Sequence, residues 1–166
     1  MQEESSGYEG VVDVGVLVPP CFDNPLKEES VDFLRNVLLA RVRAIIPVSV
    51  VVEAYHVVTN YLGISRLSAR SVLLNLLKTE SRAFYPEIDT DLASTALDYA
   101  TTYRVESWDG YLIALARKFG ARVIFSLDEE LGETLKLQKE PELPNVVNPF
   151  TASKVREYHK FLEKRA

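Results

Sequence analysis

The chain has 166 residues, 26% charged and 47% hydrophobic, with only 7 glycines and 8 prolines, which excludes collagen-like and low-complexity disordered classes and fits one core-forming globular domain. Its 19 Lys and Arg against 24 Asp and Glu leave a net charge of −5, which argues against a protein that grips polyanions through a basic whole-molecule field. It leaves open an enzyme that meets phosphates through bound cations, because such an enzyme needs carboxylates at its centre. No stretch approaches the ~18 apolar residues of a membrane span. The opening MQEESSG is acidic where a signal peptide is basic and then apolar, so a cytoplasmic protein is expected. Cys21 stands alone and reads as a buried structural thiol, without an intrachain disulfide or a cysteine-rich zinc site.

In chain order, the apolar run 11–18, broken by Asp13 and Gly15, predicts a strand buried on both faces, ended by Pro19 and Pro20. Leu26, Val31, Leu34, Leu38 and Val42 fall near helical spacing and predict a helix across 26–42. A second strand is expected over 44–48. Ser49 then reads as the N-cap of a helix carrying Val51, Ala54, Tyr55, Val58, Tyr61 and Leu62, closed by Gly63. The 66–78 stretch predicts a helix apolar around its circumference, buried on more than one side. Helices follow over 90–103, capped by Thr90 or Asp89, and over 107–119, capped by Ser107 and stopped by Gly120, with Trp108 in the core. Strands are expected over 121–127 and 145–148. The basic tail from Lys154 reads as a short surface helix, a candidate for phosphate contacts or simply a solvated face. Buried strands alternating with helices describe a parallel sheet covered on both faces, whose working residues sit at the carboxyl ends of strands.

That rule singles out four acids. Asp13 interrupts an apolar strand, Glu53 lies near the start of the helix after the second strand, Asp109 opens the helix after Ser107, and Asp128 ends the strand after Gly120. Taken singly, Glu53 and Asp109 suit helix dipoles and Asp128 suits a turn. Together they converge on one edge of the sheet, and no basic residue lies near Asp13, Glu53 or Asp128 in sequence to pair with them. A cation is the natural neutraliser, and all-oxygen ligation suits Mg²⁺ or Mn²⁺. His56 completes a Glu53-x-x-His56 pair, but a di-iron bundle needs that motif twice, and His159 has no Glu three residues before it. His56 is read as a surface or packing residue.

The segments VVDVGVL, PVSVVVEAYHVV, SWDGYLIALARKFGARVIFSLDEEL and VVNP resemble a PIN domain, the nuclease fold of VapC-type toxins, over roughly residues 10–149. The resemblance implies a three-layer α/β/α sandwich with a central parallel sheet over 1–149, the 150–166 tail belonging to the same domain. It also implies an acidic pocket of Asp13, Glu53, Asp109 and Asp128 that holds Mg²⁺ or Mn²⁺ for RNA phosphodiester cleavage. Ser126 matches the small hydroxyl residue the family often has two positions before its last acid, steadying a carboxylate. Val14 and Gly15 stand where the family commonly has Ser, Thr or Asn. RNA, a small antitoxin protein and a second copy of the chain are the implied or expected partners, the last because of the apolar 66–78 helix.

A haloacid dehalogenase-type phosphatase needs a second Asp where Gly15 stands, and a receiver domain needs acids where Val11 and Val12 stand. A PIN-fold RNA-binding or partner-binding module with little or no catalysis is the alternative from a different class.

Overall fold

The computed structural model describes residues 7–166, so the acidic opening stretch 1–6 lies outside the described residues. Five strands, β1 (Gly10–Val12), β2 (Ala44–Pro47), β3 (Phe84–Tyr85), β4 (Val123–Phe125) and β5 (Asn145–Val147), form one sheet in the order β3-β2-β1-β4-β5. Every pairing is parallel; Gly10 sits opposite Ala44 on one side and Val123 on the other. Val11, Val12, Ile45, Ile46 and Ile124 are almost wholly buried, as a sheet covered on both faces requires.

Helices α1 (Val14–Leu17) and α2 (Lys27–Leu38) lie between β1 and β2, with a 3₁₀ turn at Pro19–Cys21. Helix α3 (Val48–His56), its π-helical continuation Val57–Tyr61 and α4 (Arg66–Leu77) lead to β3. Helices α5 (Thr90–Tyr103) and α6 (Ser107–Lys118) lead back across the sheet to β4, α7 (Glu129–Leu137) leads to β5, and α8 (Ala152–Arg165) follows. The chain steps from β1 outward to β3, then returns past β1 to β4 and β5. Right-handed crossovers therefore put α1 to α4 on one face and α5 to α7 on the other, giving the expected three-layer α/β/α sandwich. The direction reverses between β1 and β4, and the carboxyl ends of those two strands form the crevice in which such sheets place their ligands.

Several local expectations are corrected. The predicted strand 11–18 ends at Val12, because the Asp13 carboxylate accepts the Val14 N–H and starts helix α1. Val16 and Leu17 are buried in that helix, and a continuous apolar run cannot distinguish a buried helix from a buried strand. The helix predicted over 26–42 stops at Leu38, where Ala40 takes a positive φ of 57°. The cap of α3 is Pro47 rather than Ser49, whose hydroxyl instead donates to Tyr111 Oη at 3.5 Å. The cap position of α6 is Glu106 rather than Ser107. Strand β4 is shorter than 121–127, and the two-residue β3 carries too little pattern to be read from sequence.

Helix α4 buries only Ala69 and Leu73, while Leu67 is 73% exposed, so it is not buried on several sides. It packs on α3, the π-helical turn and the 3₁₀ turn, and these cover one side of it. The tail is a helix, as expected, and it is docked: α8 buries Val155 and Tyr158, and Phe22 meets the rings of Tyr158 at 6.5 Å and Phe161 at 6.3 Å. Arg165 lies 5.6 Å from the centre of the Phe22 ring and donates to the Leu62 carbonyl at 3.2 Å. Cys21 is buried as expected; burial pushes its thiol up to about 11, well away from thiolate chemistry.

A candidate carboxylate site at the carboxyl edge of the sheet

Asp13 follows β1 and occupies the cap position of α1, so its backbone closes the sheet while its side chain serves the helix. Its N–H donates to the Phe125 carbonyl at 3.0 Å, tying the end of β1 to the end of β4. Its Oδ1 accepts from Val14 N–H at 2.7 Å, and its Oδ2 accepts from the Ser126 hydroxyl at 2.6 Å. Ser126, only 2% exposed, also accepts the Asp128 N–H on the same oxygen at 3.0 Å. One hydroxyl therefore fixes Asp13 and the backbone of Asp128 relative to each other. Asp128 in turn caps α7, its Oδ1 accepting from Leu131 N–H at 3.0 Å.

Glu53 and Asp109 approach from the two helical layers. Glu53 lies on the second turn of α3, near the helix start as expected, and is half-buried next to the exposed Val52. Asp109 is the third residue of α6, and its carboxylate accepts the Glu106 backbone N–H, as a first-turn acid does when it reaches back to the cap position. Gly110, next to it, allows α6 to approach α5 closely: a Cβ there would run into the Ala96 carbonyl and lie 3.0 Å from Ala100 Cβ.

The electrostatics show the convergence. Burial pushes Glu53 up to about 7, and the negative charges of Asp13, Asp109 and Glu106 push the same way. Burial pushes Asp109 up to about 6, assisted by Asp13, Asp128 and Glu106 and opposed by its bond from the Glu106 backbone. Asp13 is raised by burial and by Asp128, against the lowering effect of its bonds from Ser126 and Val14. Each raised carboxylate thus feels at least one other member of the set, and no cation contributes to any of the three shifts. The structure brings Asp13, Glu53, Asp109 and Asp128 to one edge, and it adds Glu106, which sequence reasoning missed. The only signal for Glu106 was its place three residues before Asp109, a spacing that reads equally well as routine helix capping.

The donor set is all oxygen and strongly anionic, which fits a hard divalent cation such as Mg²⁺ or Mn²⁺. Among the described residues, however, no three Asp, Glu, His or Cys side chains close into a ready-made cation cage. His56 stays outside the set: its Nδ1 pairs with the Asn60 amide at 2.9 Å and its ring meets Tyr61. Trp108, expected in the core, is 40% exposed at the start of α6, edge-on to Tyr111 at 5.8 Å; a first-turn residue at the sheet edge projects past the buried layer.

The PIN domain family model matches residues 10–137, which include all four acids and Ser126. The chain belongs to the PIN domain family, whose members are generally nucleases and typically use divalent metals. A comparison with curated proteins gave no match. Among the described residues, no helix is long and apolar enough to cross a membrane.

Proposed function

We propose that the protein is a Mg²⁺- or Mn²⁺-dependent endoribonuclease, the toxin of a toxin-antitoxin pair of the VapC type, acting in the cytoplasm on RNA phosphodiester bonds. The observation that carries the reading is the gathering of carboxylates at the crevice between β1 and β4, where the Ser126 hydroxyl ties Asp13 to the Asp128 backbone and burial, reinforced by neighbouring carboxylates, raises Asp13, Glu53 and Asp109 with no cation contributing. Asp13, Glu53, Asp109 and Asp128 would hold the ion. Bound there, a divalent cation supplies Lewis acidity toward the phosphodiester and neutralises charge on the leaving oxygen.

The chain's own groups do the rest. Ser126 holds Asp13 in one orientation, so an oxygen donor is aimed before any ligand arrives. The Glu106 backbone N–H favours the charged form of Asp109, and the close α5–α6 contact at Gly110 sets where that helix start lies. Glu53, raised to about 7, is poised to exchange a proton near neutrality when no cation is present.

Incubating the protein with labelled single-stranded RNA, with Mn²⁺ or with a chelator, tests the reading: metal-dependent internal cleavage is expected. Faster cutting of duplex DNA would assign a DNA-directed nuclease instead. Binding without cleavage would favour the alternative, an RNA-binding or partner-binding module, for which the open arrangement of the carboxylates is the supporting observation. The toxin reading entails a small inhibitory protein partner. A homodimer is proposed from the exposed Leu67 of α4 and neighbouring Tyr61, 75% exposed; light scattering should give twice 18.7 kDa at micromolar concentration.

A further inference from the structure

Beside the carboxylates, a cavity of about 340 Å³ opens between the α5–α6 connection and α7. Asp109, Asp128, Glu106 and Glu130 line it, Thr134 stands on its wall, and Arg104 is the only cation among its lining residues. Arg104 ends α5 with φ 56° and ψ 45°, its N–H bonded to the Ala100 carbonyl. Glycine would hold that left-handed conformation without steric penalty, so the backbone gives no reason for an arginine there. Nor does pairing: four acids line the same cavity, yet among the described residues no ion pair or hydrogen bond ends at the Arg104 guanidinium.

We propose that Arg104 is a substrate-positioning residue that clamps a phosphate of single-stranded RNA flanking the scissile bond, with this cavity as the subsite for that nucleotide. The proposal rests on the ribonuclease reading above. A polyanion approaching a chain of net charge −5 meets repulsion from Glu106 and Glu130 as well as from the carboxylates of the site. A cation held by those carboxylates would offset the charge at the scissile phosphate alone. The adjacent phosphate needs its own partner, and a guanidinium presents a planar fork that matches two phosphate oxygens. The cavity, at about 340 Å³, is of the size of one nucleotide unit.

The test compares the wild type with Arg104→Gly and Arg104→Lys, using a fluorescein-labelled single-stranded RNA oligonucleotide and Mn²⁺. Arg104→Gly removes the guanidinium yet suits the left-handed backbone, so its melting temperature should equal or exceed that of the wild type. Its KM should rise about tenfold with kcat within about twofold. The slope of log KM against log salt should fall by about 0.7, one phosphate contact on a single strand. Arg104→Lys should recover part of the lost affinity. Unchanged KM and salt slope in Arg104→Gly, or a fall of kcat together with melting temperature, would overturn the assignment. If the wild type cleaves no RNA, the ribonuclease reading falls by itself, and anisotropy titration of the same oligonucleotide then judges Arg104. Weaker binding by Arg104→Gly with the reduced slope sustains the clamp, whereas equal binding or none removes it.

Discussion

Helix α6 carries charge at both ends, and the two ends treat it in opposite ways. In its last turn, Arg117 pairs with Glu142 at 2.7 Å and lies 5.3 Å from the centre of the Tyr99 ring, while Lys118 donates to Tyr85 Oη at 3.1 Å. Every charge there has a partner, and the cations also suit the carboxyl end of a helix dipole. In its first turn, burial raises Asp109, and the negative charges of Asp13, Asp128 and Glu106 add to it. The same helix thus ends in a satisfied cluster at one terminus and a frustrated one at the other. Like charges gathered without a counter-ion cost stability, and a fold that keeps them there spends that stability on a ligand.

The largest effect should come from removing a member of the frustrated cluster. Asp109→Asn should lower RNA cleavage by more than about a hundredfold, while leaving the cation-free protein as stable as the wild type or more so, since one repelling charge is gone. Cleavage assays paired with thermal melts read both halves. Gly110→Ala should be the most destabilising of these changes, by about 1–3 kcal/mol in denaturant titration, because its methyl would meet the Ala96 carbonyl and Ala100. That sign opposes the gain of about 1 kcal/mol that alanine ordinarily brings to a helix.

Ser126→Ala should weaken Mn²⁺ binding by roughly tenfold to a hundredfold with the fold retained, because Asp13 and the Asp128 backbone lose their common anchor. Calorimetric titration of the metal measures it. At the satisfied end, Arg117→Ala should cost no more than about 1 kcal/mol and leave metal binding unchanged, as expected for a partly exposed pair.

The comparison also has a pH signature. Asp109 and Glu53 are raised from 3.8 and 4.5 to about 6 and about 7, so between those limits the native protein holds protons that the unfolded chain has released. Without a cation, the contribution of these two groups to stability should be fully present below about pH 4 and lost as pH rises toward 7, seen as a denaturation midpoint that declines less in Asp109→Asn. Saturating Mn²⁺ should flatten or reverse that slope.

The layers, the parallel sheet and the placement of four acids at its carboxyl edge were legible because strong signals carried them: apolar runs at 44–48 and 121–127, a long apolar stripe from Trp108 to Phe119, and carboxylates where strands give way to helices. What escaped was decided by side-chain geometry. Asp13 was read inside a strand, although its carboxylate starts a helix, because Val14 to Leu17 is apolar enough to be buried in either form. Glu106 was lost among ordinary capping acids, and Arg104 carried no pattern at all, its place being set by a left-handed helix end. The docking of α8 depends on Phe22, more than a hundred residues away, a contact that no local periodicity encodes.

The central claim is that the carboxylates at the start of α6 act as one cation site. Trp108 is the chain's single tryptophan, adjacent to Asp109 and partly exposed, so its fluorescence reports on that place alone. Titrating Mn²⁺ into the wild type and Asp109→Asn while following Trp108 emission and melting temperature tests the claim most directly. Saturable quenching with a rise in melting temperature in the wild type, and neither in Asp109→Asn at the same concentrations, is the predicted result. A wild type that shows no saturable response, or a variant that responds as the wild type does, would contradict it.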